Sequence, residues 1–189
     1  PISIRYNSKK ITTFPSNERI PWCKNGFYLD SRPSFTLDPL FHAGTYYVQE
    51  ASSMLIEQAI KQIAEPNKAI KVLDLCAAPG GKSTHILDLI NDKSLLVSNE
   101  VIGSRVSVLQ ENLLKWGHSN SVVTNLDPKI FGRLEGFFDV ILVDAPCSGE
   151  GLFRKDPKAT KEWSLENANI CAMRQNRIIA DVLPSLKEA

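Results

Sequence analysis

Residues Val72-Leu73-Asp74-Leu75 form a short aliphatic run that leads directly into Cys76-Ala77-Ala78-Pro79-Gly80-Gly81-Lys82-Ser83, and this junction limits the fold more than any other stretch. An aliphatic run without polar alternation suits a strand covered on both faces, as in a parallel sheet flanked by helices. Gly80 and Gly81 let the backbone approach a ligand, and a helix starting there offers free N–H groups to an anionic end. A second junction has the same build: residues 140–143 are aliphatic and end in Asp144-Ala145-Pro146-Cys147-Ser148-Gly149, a carboxylate beside a thiol. A site that can hold a small molecule and set a cysteine against a substrate points to group-transfer chemistry.

The chain between and around these junctions alternates. Strands are expected at 70–75, 95–99, 122–125 and 140–143, with helices at 83–90 and 103–116, the latter burying Val106, Leu109 and Leu113. Helical spacing of Ala51, Leu55, Ala59 and Ile63 predicts a helix over 49–63, ended by Glu65-Pro66-Asn67. Ser164 is placed to cap a long last helix that buries Ile170, Ile178 and Val182, with Pro184 stopping or kinking it. Residues 1–45, with short strands at Ile2–Tyr6 and Gly26–Leu29, read as the remnant of an N-terminal substrate-side domain of α+β type; 46–189 read as the first part of a catalytic domain. The expected fold is α/β and Rossmann-like. Its sheet is expected to be incomplete on the C-terminal side, because Leu186-Lys187-Glu188-Ala189 leave a helix with no strand to follow.

No apolar run approaches the roughly 20 residues of a membrane span, and no signal peptide opens the chain. Cys23, Cys76, Cys147 and Cys171 lack CxxC spacing and the three histidines are scattered, so neither a metal site nor a disulfide framework is expected; a reducing, cytoplasmic setting is. A net charge of +1 carries no global nucleic-acid signature. Two local clusters do: Arg5, Lys9, Lys10, Arg19, Lys24 and Arg32 near the start, and Arg154, Lys155, Lys158 and Lys161 after the second junction. Each alone reads equally as a solvated face; flanking one site, they suit a phosphate backbone.

Gly81-Lys82-Ser83 imitates the end of a phosphate-binding P-loop, but that motif needs a glycine where Cys76 stands, and GxGxxG is absent. Acidic residues recur instead near later strand ends: Glu100, Asp127 and Asp144. Glu100 lies where a second-strand carboxylate meets a ribose diol, and Asp127 could accept from an adenine amino group. A nucleoside with a cationic far end, such as S-adenosylmethionine, fits this carboxylate excess better than a polyphosphate does. The alternative for Glu100 and Asp127 is a pair of solvated loop acids.

Residues 74–82 and Asp144-Ala-Pro-Cys-Ser-Gly-Glu-Gly151 resemble two motifs of the RNA cytosine-5 methyltransferases of the Sun and nucleolar-protein (Fmu-like) type. Phe41-His-Ala-Gly-Thr-Tyr-Tyr-Val-Gln-Glu-Ala-Ser52 resembles a third, and Arg154-Lys-Asp-Pro157 is most similar to the branch acting on small-subunit ribosomal RNA. The resemblance implies a methyltransferase fold, S-adenosylmethionine as donor, RNA as partner and a monomeric parent protein. It places Cys76, Ala77, Ala78, Pro79, Gly80, Gly81 and Lys82 at the methionine end, Glu100 at the ribose, Asp127 at the adenine edge, and Asp144 where cofactor and cytosine meet. Carbon 5 of cytosine becomes nucleophilic only when a thiolate adds at carbon 6, and the base must be unpaired or flipped out. The resemblance assigns that thiolate to a Thr-Cys motif absent from these 189 residues, and gives Cys147 the role of helping product release. The chain then reads as a piece that binds cofactor without completing transfer. Two alternatives are a non-catalytic module binding cofactor and RNA, and a cytosine-5 methyltransferase with Cys147 as nucleophile, as in the DNA enzymes; the lack of a Glu-Asn-Val signature opposes the latter.

Overall fold

The computed structural model describes residues 2–10, 18–63, 65, 68–153 and 156–188. Two sheets organise them. β1 (Ile2–Tyr6), β2 (Gly26–Leu29) and β3 (Tyr46–Val48) form an antiparallel sheet of order β2-β1-β3, with Ile4 opposite both Phe27 and Val48. β4 (Lys71–Asp74), β5 (Leu95–Asn99), β6 (Ser121–Thr124) and β7 (Val140–Leu142) form a parallel sheet of order β6-β5-β4-β7. The helices are α1 (Pro39–His42), α2 (Ile56–Ile63), α3 (Gly81–Leu89), α4 (Gly103–Trp116), α5 (Pro128–Phe131), α6 (Pro157–Glu162) and α7 (Leu165–Val182).

Neighbouring residues on β4 point to opposite faces, and Val72 and Leu73 are both fully shielded. Val72 packs with Ile86 and Leu87 of α3 and Leu109 and Leu113 of α4, while Leu73 packs with Phe131 of α5 and Ile178 and Val182 of α7. The parallel sheet is therefore a middle layer between two helical layers. Its strand order reverses between β4 and β7, so the carboxyl ends of these two strands open a crevice. Among the described residues no helix is long and apolar enough to cross a membrane.

Three expectations are revised. Residues 51–55 form a 3-10 helix before α2 begins, and its three-residue turn shifts the buried stripe to Met54, Glu57 and Ile60. Leu55 and Ile63, expected inside, are more than half exposed. On α7, Ser164 caps as expected, accepting from Asn167 N at 3.1 Å, but Cys171 is buried and Ile170 is exposed. Beside β7, Leu186 forms a parallel bridge with Phe138, and Phe138 N donates to Ser185 O at 2.9 Å, so the segment after α7 returns to the sheet.

The antiparallel sheet docks on α3 through Arg5, a cation with no exposed surface. Its guanidinium donates from Nε to Gln49 Oε1 at 3.1 Å, from NH1 to Asp88 Oδ2 at 2.5 Å and from NH2 to Thr84 Oγ1 at 2.7 Å. It also stacks over Trp116, 4.6 Å from the ring centroid, and Trp116 Nε1 donates to the other oxygen of Asp88 at 2.9 Å. Removing one partner of such a pair strands a buried charge. Arg5→Met is expected to cost about 3–5 kcal/mol of folding free energy, read as a lower urea midpoint. Lys9→Ala, which breaks the exposed Lys9–Asp92 pair, is expected to leave the midpoint in place.

Candidate functional site in the β4–β7 crevice

The run after β4 folds as a loop because Gly80 takes φ +108°, a left-handed conformation that side chains oppose, and α3 starts at the next residue. Gly81 faces Tyr47 of β3 so closely that an added Cβ would lie 3.1 Å from the tyrosine ring. Three side chains hold the loop's carbonyls from outside. Arg105 NH2 donates to Ala78 O at 2.6 Å, Asn112 Nδ2 to Pro79 O at 2.8 Å, and Arg5 NH2 to Gly81 O at 3.3 Å.

The loop forms one wall of a pocket of about 200 Å³, with Asp74, Cys76, Ala77, Ala78, Pro79, Gly81, Lys82 and Asp144 on that side. The opposite wall comes from Tyr47, Val48, Gln49, Glu50 and Ser53. The sequence reading did not assign these five; for all but Ser53 the signal available was the polar and aromatic stretch 41–52 that resembles a family motif. The structure thus brings most of the loop residues together with Asp144. Lys82 and Asp144 form an ion pair across the mouth, with the Asp144 side chain more than half exposed.

Glu100 and Asp127 do not line this pocket. Glu100 is buried at the end of β5, where Oε1 accepts from Ile102 N at 2.9 Å and Oε2 lies 3.3 Å from Arg105 NH1. It steadies the arginine that holds Ala78. Asp127 is exposed and caps α5, accepting from Lys129 N at 2.9 Å. Cys147 is exposed three residues beyond Asp144, whereas Cys23 and Cys171 are buried and Cys76 is half-buried. Burial, with the negative charges of Asp74, Glu100 and Asp144, pushes the Cys76 thiol up to about 11, so it stays protonated at neutral pH.

Asp74 is the buried carboxylate of the pocket wall. Its Oδ2 accepts from Ser83 Oγ at 2.6 Å, and Ser98 Oγ donates to Ser83 Oγ at 3.0 Å. Its Oδ1 is buried and has no partner among the described residues. Burial pushes the Asp74 carboxyl up to about 6, against the pull of Ser83 and Lys82.

The basic clusters divide. Arg5 is buried and so is closed to a phosphate, Lys9 pairs with Asp92, and Lys10 Nζ donates to the carbonyls of Ala43 and Lys115. Lys158 and Lys161 of α6 are exposed, and Arg154 and Lys155 lie outside the described residues.

A parallel sheet wound on both faces, with a glycine loop after β4 and a carboxylate after β7, is the Rossmann-like architecture of the S-adenosylmethionine-dependent methyltransferases. A family model described as 16S rRNA methyltransferase RsmB/F matches residues 61–189, and one described as the N-terminal domain of 16S rRNA methyltransferase RsmF matches residues 1–51. The chain belongs to the RsmB/F family. It is 43% identical over 178 residues to Ribosomal RNA small subunit methyltransferase F of Pectobacterium carotovorum subsp. carotovorum (strain PC1), a match covering 90% of this chain and 36% of that protein. The chain therefore spans little more than a third of that relative's length. Among solved structures it is similar to a methyltransferase homolog protein from Pyrococcus horikoshii, with a TM-score of 0.79 and 31% identity over 99% of this chain and 61% of that one. It is also similar to NSun6 from Pyrococcus horikoshii with SFG, with a TM-score of 0.69 and 29% identity over 82% of this chain and 39% of that one.

The raised Asp74 pKa fixes the sign of a stability change. Its folded value, about 6, lies above the ordinary 3.8, so the protonated acid favours the fold. That contribution is complete below about pH 4 and is lost as pH rises through about 6. Asp74→Asn, which removes the charge, should gain on the parent protein as pH rises, by up to about 3 kcal/mol at pH 8 relative to pH 4. Thermal melting of both proteins across that range measures the gap; a gap independent of pH would show that Asp74 carries no burial penalty.

Proposed function

We propose that this chain supplies the S-adenosylmethionine-binding part of an enzyme that methylates carbon 5 of cytosine in small-subunit ribosomal RNA, in the cytoplasm. The observation that carries the reading is the buried Asp74 Oδ1, without a partner among the described residues, in the wall of a pocket bordered by the glycine loop. A cationic amino group is the partner that oxygen lacks, and the free N–H groups at the start of α3 suit a carboxylate. An amino acid end carries both. SFG, named with NSun6, is an analogue of S-adenosylmethionine, which agrees with this assignment.

In this reading Cys76, Ala77, Ala78, Pro79, Gly80, Gly81 and Lys82 shape the methionine end of the site. Glu100 and Asp127 face the nucleoside, Glu100 doing so while it holds Arg105. Asp144 sits where cofactor and base meet, kept from swinging by Lys82. The cofactor supplies an electrophilic methyl group. Cys147, on the same loop as Asp144, helps release product. RNA phosphates are met by the α6 lysines. Residues 1–45 belong to the substrate side and 46–189 to the catalytic domain.

A second reading has one observation behind it: of the four cysteines Cys147 alone is exposed, so it is the thiol that can reach a substrate directly. RNA carrying 5-fluorocytosine separates the two roles, because fluorine blocks the final elimination and leaves an attacking cysteine bonded. Release chemistry predicts no Cys147 adduct; an adduct lost in Cys147→Ala makes Cys147 the nucleophile.

The test of the main reading is a calorimetric titration with S-adenosylhomocysteine, which is expected to bind where ATP does not. Affinity should rise about tenfold from pH 5 to pH 7.5, as Asp74 ionises through about 6, and should lose that dependence in Asp74→Asn. Tighter binding of ATP would sink the assignment.

A further inference from the structure

The sequence scatters its cysteines and histidines, yet the fold gathers one of each with a carboxylate. Cys23 lies in the turn before β2, Glu57 on α2 and His85 on α3, and all three are buried. Cys23 Sγ is 3.7 Å from His85 Nε2, and His85 Nε2 is 3.0 Å from Glu57 Oε2. The three ligand atoms lie within 4.8 Å of one another.

We propose that Cys23, Glu57 and His85 form a site for a divalent transition-metal ion of the zinc type, separate from the glycine-loop pocket. Tetrahedral zinc with bonds of about 2.0–2.3 Å sets neighbouring sulfur, nitrogen and oxygen ligands about 3.3–3.6 Å apart, and the two observed separations bracket that range. The donor set is one thiolate, one imidazole and one carboxylate, so a dication is neutralised by its own ligands. The carboxylate is also braced as ligating carboxylates are. Glu57 Oε1 accepts from Lys61 Nζ at 2.6 Å and from Lys24 N at 3.1 Å, which directs Oε2 at the cluster.

Without an ion Nε2 carries the ring proton, because Glu57 Oε2 only accepts, and His85 Nδ1, which has no partner among the described residues, is where that proton moves. On binding, the ring proton sits on Nδ1, Nε2 takes the ion, and the Cys23 thiol proton passes to solvent. Glu57 and His85 also line a cavity of about 360 Å³ with Arg5, Lys24, Lys61 and Asp88, where Asp88 offsets the Arg5 charge and a water has room to be the fourth ligand. Such an ion would tie the turn before β2 to α2 and α3. It would fasten the antiparallel sheet to the helix that begins at the glycine loop.

The probe is Co²⁺, added to chelator-stripped protein in a Cys147→Ser background that removes the exposed thiol. The expected result is one Co²⁺ per chain, with tetrahedral d–d bands and a thiolate-to-cobalt charge-transfer band. Cys23→Ser should abolish the charge-transfer band and weaken binding at least about tenfold. Zn²⁺ should raise the melting temperature of the stripped parent and leave that of His85→Asn unmoved. If Cys23→Ser fails to fold by circular dichroism, Glu57→Gln is read for the same loss of affinity. Absence of the charge-transfer band at stoichiometric Co²⁺ overturns the proposal. So does a band that survives Cys23→Ser, or binding equally weak in parent and variants; in those cases the three side chains are only a closed hydrogen-bonded cluster.

Discussion

The buried Arg5 guanidinium is the constraint on which the rest of the arrangement depends. Burial pulls its pKa down and Asp88 pushes it back up; the guanidinium stays charged, so a carboxylate has to stay beside it. A buried ion pair adds little net stability over an apolar pair of the same volume. What it does here is geometric. The planar fork reaches Gln49 on one side and Asp88, Thr84 and Gly81 on the other, which sets the antiparallel sheet against α3 in a single register. Trp116 closes the arrangement by stacking on the guanidinium and sharing Asp88. Docking and loop geometry are thus one network, because Arg5 touches Gly81 and Gln49, both in the pocket wall.

The same logic governs the loop. Its carbonyls are not left to water; Arg105, Asn112 and Arg5 each take one. Arg105 is oriented in turn by Glu100, whose other oxygen is fixed by a backbone N–H. A glycine loop is flexible in isolation, since glycine has the most conformational freedom to lose on folding. Three donors on two elements, α4 and β1, remove that freedom before any ligand arrives. The cost of ordering is met during folding, which leaves more of the interaction free energy for binding.

The parallel sheet, the glycine loop and α3 were legible because their signals are local. Val72 and Leu73 are both aliphatic, as burial on both faces requires, and the turn needs Gly80 at positive φ. The stripe on α2 was not legible. A 3-10 segment changes the period, and the position that goes inside is a glutamate, Glu57, held by Lys61, Lys24 N and His85. Periodicity read from apolar residues alone chose Leu55 and Ile63, which face solvent. The basic cluster near the start misled for a related reason: charge was read as exposure, and Arg5 is interior. The wall from Tyr47 to Ser53, and the meeting of Cys23 with His85 across 62 positions, depend on how the two sheets dock, which no local pattern encodes.

Asp74 shows where local consistency gives way to a site. A carboxylate at the end of a buried strand, with one oxygen on Ser83 and the other without a partner among the described residues, is a poor choice for stability alone. Asparagine or serine would end β4 with less penalty. The surrounding structure tolerates it because Leu73 and Leu75 bury fully on either side of it and Ser83 and Ser98 supply a short hydroxyl chain. Lys82 pulls on Asp74, yet it pairs with Asp144 and leaves the Asp74 carboxyl raised. A buried anion left incomplete beside a rigid loop discriminates among ligands by charge: a cationic group repays its desolvation, and an anionic group in the same place meets both Asp74 and Asp144. Under the proposed function, the same oxygen that weakens the fold at neutral pH would then disfavour a polyphosphate in its place.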